Sequence, residues 1–296
     1  MALDPHRLLA REFAPMEQAY TARDSILYAL GVGLGADPLD VGQLRYLYEG
    51  APGGLQALPA MVNVLGYPGF WPSQPDTGIT WKKLLHAEQS FVLHRPLPAQ
   101  AQVIGRNRVV ALHDKGSERG ALMVQRRELT DAGTGDALVT VTLTAMLRAD
   151  GGFGGAHGEP LAPPHVLPER APDHVCDLAT LRQAALLYRL SGDYNTVHAD
   201  PVIASQAGFP RPILHGLCTM GVAMHAILKS LLAYDASSVR AMRVRFTAPV
   251  FPGETIRTEI WRDGSVVSFR SSVLERNVLV LGAGRVDLDR AAIQGA

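Results

Sequence analysis

Three side chains that can handle protons lie close together in the segment 187–201: the carboxylate of Asp193, the amide of Asn195 and the imidazole of His198. Gly192 and the closely spaced Asp and Asn residues favour a turn that presents these groups toward one cavity. Two such groups can transfer protons to and from a bound water while the third orients it. The segment therefore predicts an acid–base site that acts on water.

A purely structural interpretation of the same residues stays open. Asp193 could cap the next helical turn, Asn195 could support the loop, and His198 could be a hydrogen-bonded core histidine. For any one of them alone, that is the better explanation. Their joint occurrence, with the turn at 213–216 leading into a long helix, favours a site, and Pro201 is well placed to begin a further helix.

A glycine stands where that long helix should begin. The sequence Pro212-Ile-Leu-His-Gly216 precedes an apolar helical pattern, so the amide of Gly216 is predicted at a helix N-terminus, where free N–H groups and the positive end of the helix dipole meet. Such an amide can stabilise an enolate-like oxyanion, and losing one oxyanion donor typically costs about 3 to 4 kcal/mol of transition-state stabilisation. The alternative is a plain helix start at which glycine allows tight packing.

The elements that must hold these residues occur in two similar halves. Each half contains an apolar candidate for a central helix, at 216–234 in the second half and, much weaker, at 58–65 in the first. Segments that mostly alternate apolar and polar residues follow each helix, as expected for antiparallel strands with one covered face. These segments are Ser90–His94, Val103–His113, Leu122–Leu129, Leu138–Leu147, Met242–Ala248, Thr255–Trp261, Val266–Leu274 and Val278–Leu288, with turn signals at 263–264 and 276–277.

An internal repeat supports a duplicated unit. Residues 91–98 and 246–252 each read as an aromatic strand that leaves through closely spaced prolines. One helix wrapped by an antiparallel sheet, occurring twice, is an α+β fold. The Gly- and Pro-rich stretch 151–173 cannot form a helix or a central strand, which predicts two units, 1–150 and 174–296, joined by a linker.

Length and charge limit the classes of function. The 296 residues exceed what one hydrophobic core usually organises, and 47% apolar with 19% charged residues is typical of a globular chain. Lys plus Arg and Asp plus Glu are equal at 28 each, so no overall positive field would hold a nucleic acid or an anionic membrane. An anionic ligand must therefore meet a local basic patch.

Several features predict a cytoplasmic protein. The two cysteines, Cys176 and Cys218, form no CxxC pair, which argues against a disulfide framework or a zinc knuckle and favours a reducing compartment. The charged N-terminus lacks the apolar segment of an export signal, and no apolar run approaches the ~20 residues of a membrane span. The last residues, 293–296, differ from a peroxisomal Ser-Lys-Leu address.

The segment Tyr188-Arg-Leu-Ser-Gly-Asp-Tyr-Asn-Thr-Val-His198 closely resembles the signature of the hydratase 2 family of MaoC-like proteins, which includes the hydratase unit of peroxisomal multifunctional enzyme type 2. The similarity continues through Ala207-Gly-Phe-Pro-Arg-Pro-Ile-Leu-His-Gly-Leu-Cys-Thr219. In the first half it includes 24–33 and 46–50, so nearly the whole chain is covered.

The resemblance implies a double hot-dog fold, usually dimeric, that reversibly hydrates trans-2-enoyl-CoA to the (3R)-3-hydroxyacyl thioester without a cofactor or a metal ion. It implies that Asp193 and His198 activate the water and deliver the α-proton, and that Asn195 helps to hold the water. The Gly216 amide would polarise the thioester carbonyl. Further contacts with the acyl-CoA substrate are implied for His86, Ala87, Lys115, Gly192, Tyr194, Thr196, Val197 and Phe246.

Two positions depart from the family pattern: Ala87 stands where Gly is usual, and Thr196 stands where Pro is common. A positive φ at Ala87 would cost roughly 1 kcal/mol or more. The first half also carries no second Gly-Asp-x-Asn-x-x-His. It is therefore predicted to make room for the acyl chain rather than to form a second reaction centre.

Two other patterns have simpler explanations than a ligand site. Gly31-Val-Gly-Leu-Gly35 is similar to a nucleotide fingerprint, but its last glycine is one residue early and a helical stretch precedes it, which predicts a helix end. His198, Asp200 and His215 are potential metal ligands, but such spacing is common by chance. We therefore expect no metal here.

Two other functions remain open. Hot-dog scaffolds also support thioester hydrolysis, so an acyl-CoA thioesterase is one, and a non-catalytic acyl-CoA-binding subunit is the other. The spacing of Asp193, Asn195 and His198 favours hydration, and a binding module has no evident need for two proton-transfer groups. Release of free CoA would reveal the thioesterase, and binding without turnover would reveal the module.

Overall fold

The computed structural model describes residues 3–289; residues 1, 2 and 290–296, including the chain end used in the compartment prediction, lie outside the described part. Eleven strands in this part form one sheet. The strands are β1 (Met16–Tyr20), β2 (Leu84–Leu93), β3 (Ala101–Asp114), β4 (Ala121–Asp131), β5 (Ala137–Leu147), β6 (Ala156–Gly158), β7 (His174–Ala179), β8 (Val239–Phe246), β9 (Thr255–Asp263), β10 (Val266–Val273) and β11 (Val278–Leu288).

The sheet runs in the order β1-β3-β4-β5-β2-β8-β11-β10-β9-β7, and neighbouring strands are antiparallel. The short β6 lies off this path and pairs with the end of β3. The two halves meet between β2 and β8, where Glu88 is opposite Arg245 and Phe91 is opposite Met242. The predicted α+β double hot-dog fold is confirmed, with both units contributing to one continuous sheet.

All eight predicted strands are present, with some differences at their ends. β2 begins at Leu84 rather than at Ser90, so it includes His86 and Ala87. The predicted turns lie between β9 and β10 and between β10 and β11. Gly264 and Asn277 adopt positive φ angles of 61° and 50° there, as the reversal of a tight hairpin requires.

Five α-helices occur among the described residues: α1 (Pro5–Leu9), α2 (Ala22–Gly31), α3 (Ala184–Tyr188), α4 (Pro201–Gln206) and α5 (Gly216–Leu231). The helix end predicted within 31–35 is confirmed, because α2 stops at Gly31. In α5, all residues from Cys218 to Leu228 are buried, as expected for a helix that is apolar on all sides. It ends at Leu231 rather than at 234, since Ala233 and Tyr234 adopt positive φ, which an α-helix cannot continue.

The predicted central helix of the first half is wrong in type. Residues Pro59–Val64 form a buried 3₁₀ helix, not an α-helix. The segment has only six residues, begins with a proline and is followed by Gly66 at φ +61°. A Cβ on Gly66 would lie 2.5 Å from Leu129 Cδ2 and 2.9 Å from Gly105 Cα, so the chain turns there in direct contact with the sheet. The first unit therefore surrounds a short 3₁₀ segment where the second surrounds α5.

The hydrophobic core is continuous across the two halves. Tyr28 and Phe91 of the first half and Tyr188 and Phe269 of the second belong to the same buried cluster, each at 1% exposure or less. Burying a large apolar side chain contributes about 1.5 to 3 kcal/mol. Relative movement of the two units would expose this shared core, so the halves form a rigid frame for a site between them.

The stretch predicted to link the units crosses the surface as extended chain. It forms no helix and no central strand, and its one short strand, β6, lies at the edge of the sheet. The stretch is tied to the second half: the carbonyl of Ala162 accepts a hydrogen bond from Arg243 Nη2 (3.1 Å), and that of Arg170 accepts one from Trp261 Nε1 (2.8 Å). Within residues 3–289, no helix is both long enough and apolar enough to cross a membrane.

Candidate active site

The loop that carries Asp193 is shaped by a sharp reversal of the chain. After α3 and a 3₁₀ turn at Arg189–Ser191, Gly192 adopts a φ of +124°, a value that L side chains rarely accept. Asp193 follows, and its Oδ1 accepts a hydrogen bond from the backbone N–H of Asn195 at 3.2 Å. The glycine therefore turns Asp193 toward the cavity between the two units, which both residues line.

Asn195 has a clear structural role. Its side-chain oxygen accepts a hydrogen bond from Val197 N–H at 3.2 Å and caps the 3₁₀ turn Thr196–His198. Asp200 then caps α4, with Pro201 at its first position, which confirms the predicted helix start. Asn195 itself is exposed. Asn195 therefore supports the loop by capping this turn itself, whereas the structural interpretation had given the cap to Asp193.

His198 is buried, with 8% of its surface exposed, and its Nδ1–H donates to the carbonyl of Ile213 at 2.9 Å. That bond sets the tautomer and leaves Nε2 with a lone pair that can accept a proton. Burial lowers the pKa of His198, and the hydrogen bond to Ile213 and the charge of Asp193 offset only part of this effect. The imidazole is therefore neutral at neutral pH and available as a base.

His215, which we did not predict as a site residue, is stacked on His198. The ring centroids lie 3.7 Å apart with the planes at 26°. His215 Nε2–H donates to the backbone carbonyl of Asp193 at 3.1 Å, while its Nδ1 is buried without a hydrogen-bond partner. Burial, and next the adjacent His198, lower the pKa of His215 to about 4. A neutral His215 thus supports both proton-transfer residues.

The same three side chains form a compact polar cluster. One potential ligand atom from each of Asp193, His198 and His215 lies within 4.8 Å of the others. Carboxylate and imidazole atoms at this spacing are able to hold a divalent cation. Asp200, which the sequence had suggested as a potential metal ligand, instead caps α4.

The amide of Gly216 lies at the N-terminus of α5, as predicted. The first amides of a helix have no intrahelical acceptor, so they are available to a ligand. A Cβ on Gly216 would lie 3.2 Å from the ring of Phe246, at the end of β8. The glycine therefore allows the aromatic ring to pack directly over the helix start.

Phe246 also contacts the first half of the chain. Its ring meets that of His86 edge to face, with centroids 4.7 Å apart. Nε2 of His86 is hydrogen-bonded to Gln89 Oε1 at 2.9 Å, and burial lowers the pKa of His86 to about 4. Ala87 lies at a β-bulge between β2 and β5 and has no positive φ. The strain considered for Ala87 is therefore absent.

A cavity extends from the Asp193 loop into the first half. Its lining joins Gly192, Asp193 and Leu217 of the second unit to His86 and to polar residues of the first unit that we did not predict. These include Asn63, Tyr67, Gln89, Asn107, Gln125 and Arg127. A signal for two of them is present in the sequence. Gln125 and Arg127 lie between the buried Met123 and Leu129 at every second position of β4, so all four side chains are on the same face of the strand, toward the interior.

Some predicted substrate contacts lie outside this cavity. Lys115 is exposed in the turn after β3, where its backbone bonds to Gly120 and Arg119. Tyr194 is 58% exposed and lies under the guanidinium of Arg189. Thr196 and Val197 belong to the capped turn on the outer side of His198. None of these four residues lines the cavity.

Comparison with known proteins decides the family. Residues 165–283 match the model of the MaoC like domain, and residues 18–149 match that of the MFE-2 hydratase 2 N-terminal domain. The chain is 41% identical to 3-hydroxyacyl-thioester dehydratase Y of Mycobacterium tuberculosis over 99% of both chains. This chain belongs to the MaoC-like hydratase 2 family.

Other members of the MaoC-like hydratase 2 family match over similar lengths. The peroxisomal enoyl-CoA hydratase 2 of Arabidopsis thaliana is 38% identical, over 95% of this chain and 94% of the relative. Among solved structures, the MaoC-like dehydratase from Phytophthora capsici superposes with a TM-score of 0.84 at 33% identity, covering 96% of this chain and 98% of that one. The family resemblance predicted from the sequence is confirmed.

Proposed function

We propose that this protein is an (R)-specific enoyl-CoA hydratase, which reversibly adds water to a trans-2-enoyl-CoA and forms the (3R)-3-hydroxyacyl-CoA. The observation that carries the proposal is the meeting of Asp193 and the neutral His198 with His215, the cap of α5, beside a cavity that Asp193 and Leu217 line. Two full-length relatives named as a hydratase and a dehydratase of acyl thioesters support the same chemistry.

The geometry assigns a role to each proton-transfer group. Nε2 of His198 accepts a proton from the water as the water oxygen bonds to C3 of the substrate. Asp193 orients the water, and the Asp193–His198 pair passes the proton on to C2. One water is consumed and the pair ends in its starting protonation state. Asn195 holds the loop and, through it, the water-binding position.

The thioester carbonyl accepts a hydrogen bond from the Gly216 amide. Negative charge develops on this oxygen as water adds to C3, and a fixed dipole at a helix N-terminus stabilises it without reorganising. Phe246 and His86 close over the same position through their edge-to-face contact.

We further propose a division of labour between the units 1–150 and 174–296, joined by 151–173. The second unit supplies the chemistry, and the cavity in the first unit accepts the acyl chain. The CoA part of the substrate is expected to contact Ala87, Lys115, Gly192, Tyr194, Thr196 and Val197, as the family resemblance implies. Lys115 is exposed and forms no ion pair with any residue of the described part, which supports a role with CoA phosphates.

The assembly and the compartment are also proposals. The family resemblance supports a homodimer. Cys176 and Cys218 are buried and unpaired, which fits a reducing compartment such as the cytoplasm. Light scattering after size-exclusion chromatography measures the mass of the assembly, and imaging of the tagged protein in its host tests the compartment.

The direct test follows the loss of enoyl-thioester absorbance with crotonyl-CoA and trans-2-decenoyl-CoA, with a coupled (R)-specific dehydrogenase to report the product. Product oxidised by that dehydrogenase is the expected result and establishes both the reaction and its hand. Release of free CoA would identify a thioesterase instead. Tight binding of both esters without turnover would identify a non-catalytic acyl-CoA-binding subunit.

A further inference from the structure

The cavity is lined in the first unit by an arginine that its surroundings do not neutralise. Arg127, on β4, is 7% exposed. The guanidinium carbon of Arg127 lies over the ring of Tyr67, 5.9 Å from the ring centroid. Within residues 3–289 no Asp or Glu forms an ion pair with it, in contrast to the adjacent Arg126, which pairs with Glu159. Arg127 is thus a buried cation without a counter-charge.

Arg127 is also incompletely hydrogen-bonded. Its Nη2 donates to the carbonyls of Val62 (3.3 Å) and Asn63 (2.8 Å), at the end of the 3₁₀ helix. Nε is buried without a partner, and Nη1 makes no hydrogen bond to any described residue. A guanidinium has five N–H donors, so most of its donors are unused. A buried donor left unpaired destabilises the free protein, which favours a ligand that pairs with it.

The neighbouring amide adds a further donor. Trp71 Nε1, which can only donate, donates to Gln125 Oε1 at 2.8 Å, so the side-chain NH₂ of Gln125 remains for a ligand. By contrast, both ends of Gln89 are used, by Asn63 and by His86. The free groups of Arg127 and Gln125 are therefore donors, and together they match an acceptor that carries negative charge.

Arg127 keeps its charge under ordinary conditions. Burial lowers the pKa of Arg127 to about 10, which leaves the guanidinium protonated at neutral pH. Arg–carboxylate hydrogen bonds are among the strongest in proteins because both partners are charged. A plain alkyl chain would fill the cavity without satisfying this cation, whereas a carboxylate would supply both the charge and the acceptors.

The position of Arg127 relative to the reacting atoms suits the far end of an acyl chain. Arg127 pairs across the sheet with Val141, and Val141 with Phe91, so β4 lies two strand spacings from β2, or about 10 Å. His86, beside the reacting end, is on β2. Tyr67 interacts electrostatically with both Asp193 and Arg127. Burial, and next the negative charge of Asp193, raise the pKa of Tyr67 to about 12, and the positive charge of Arg127 opposes this rise.

We propose that Arg127 and Gln125 form a subsite for a carboxylate at the distal end of the acyl group, so that the substrates are ω-carboxy-2-enoyl-CoA thioesters. This inference rests on the proposed hydratase function and specifies the substrate class of the same site. The acyl chain runs from Asp193 past Tyr67, and its terminal carboxylate accepts hydrogen bonds from Nε or Nη1 of Arg127.

The first experiment needs only the wild-type protein. Hydration rates are measured for trans-2-enoyl-CoA esters of six to twelve carbons, each as a methyl-terminated and an ω-carboxy form of equal length. We expect kcat/KM to favour the ω-carboxy form by roughly 10- to 100-fold at the length that reaches Arg127, the effect of one charge-assisted hydrogen bond or two. A preference for the methyl-terminated form at all lengths would overturn the proposal.

A matched pair of variants tests the assigned residue. In R127M the ratio of the two kcat/KM values is expected to fall to about one, whereas R108M, which removes the exposed partner of Glu128 on the neighbouring strand, keeps the wild-type ratio. Because Nη2 also donates to two backbone carbonyls, R127M is expected to lower the yield of folded protein. That loss lowers both rates equally and leaves their ratio interpretable. R127K, which retains a cation, is expected to give an intermediate ratio.

The outcomes separate this inference from the proposed function. Crotonyl-CoA, which is too short to reach Arg127, reports hydration alone. If it is hydrated but the ω-carboxy preference is missing, the function stands and the carboxylate subsite is wrong. If R127M keeps the wild-type ratio, Arg127 serves only to hold the 3₁₀ helix. If no ester is hydrated, the proposed function itself fails.

Discussion

The imidazole of His215 lies face to face with that of His198 at 3.7 Å, and its Nε2–H holds the backbone of Asp193. One residue at the cap of α5 therefore contacts both proposed proton-transfer residues. Burial, and next the adjacent His198, lower the pKa of His215 to about 4. The ring therefore stays neutral and adds no positive charge to the site. This arrangement makes the cap of the helix part of the site.

Asp193→Asn and His198→Ala are each expected to reduce kcat by at least 100-fold, the lower range of what a positioned acid or base contributes. Neither side chain belongs to the hydrophobic core clusters, so its loss leaves the core unchanged. The measurement is hydration of crotonyl-CoA alongside circular dichroism melting. Near-wild-type turnover in either variant with an intact melting transition would show that the roles are assigned to the wrong residues.

His215→Phe keeps a flat ring against His198 but removes the hydrogen bond to the carbonyl of Asp193. We expect kcat to fall roughly 2- to 10-fold, the effect of one neutral hydrogen bond, with little change in KM because the substrate-binding surface is retained. His225→Phe is the control, since His225 is a buried histidine of the same helix that contacts Val32 and Tyr234 instead. Equal effects in both variants would argue against a positioning role for His215.

The free energy of unfolding is expected to fall as the pH is lowered below about 6.5, the ordinary histidine pKa. Burial lowers the pKa of His225 to about 4 in the folded state, so the unfolded chain takes up protons first between these values. Each such histidine contributes a slope of up to about 1.4 kcal/mol per pH unit, with stability rising as the pH rises. His215 and His86 behave in the same way.

Urea unfolding at pH 7, 6 and 5 measures this slope. His225→Gln removes one of the titrating groups, so the variant should be less stable at pH 7 yet show a flatter dependence on pH. An unchanged slope in His225→Gln would mean that this histidine is not kept neutral by burial in the folded protein.

Gly66→Ala is expected to destabilise the protein by about 2 to 4 kcal/mol. Alanine at position 66 would have to adopt a positive φ, and its Cβ would lie 2.5 Å from Leu129 and 2.9 Å from Gly105. Backbone strain and overpacking therefore both lower the free energy of unfolding. Gly53→Ala is the matched control: it also has a positive φ, but its Cβ would contact nothing within 4 Å. Its expected cost is about 1 kcal/mol. Equal losses in urea unfolding would show that the close contact is relieved at no cost.

Local patterns in the chain were enough to predict most elements. The strands follow from period-two alternation and from turn residues such as Asn277, and α5 follows from an apolar run that begins at a glycine. Strands β1, β6 and β7 were not predicted, and the helix at 59–64 was predicted with the wrong type. A short apolar segment after a proline has no periodicity that separates a 3₁₀ helix from an α-helix, and its contact with the sheet at Gly66 decides between them.

The sequence by itself determined the fold class, the family and the loop with Asp193, Asn195 and His198, because these depend on residues adjacent in the chain. Tertiary structure alone decided that His215 stacks on His198, that Lys115 lies away from the cavity, and that Arg127 faces the same cavity as Asp193. Each of these relationships joins residues from different elements. Their distances depend on how the sheet and α5 pack, and no local spacing specifies them.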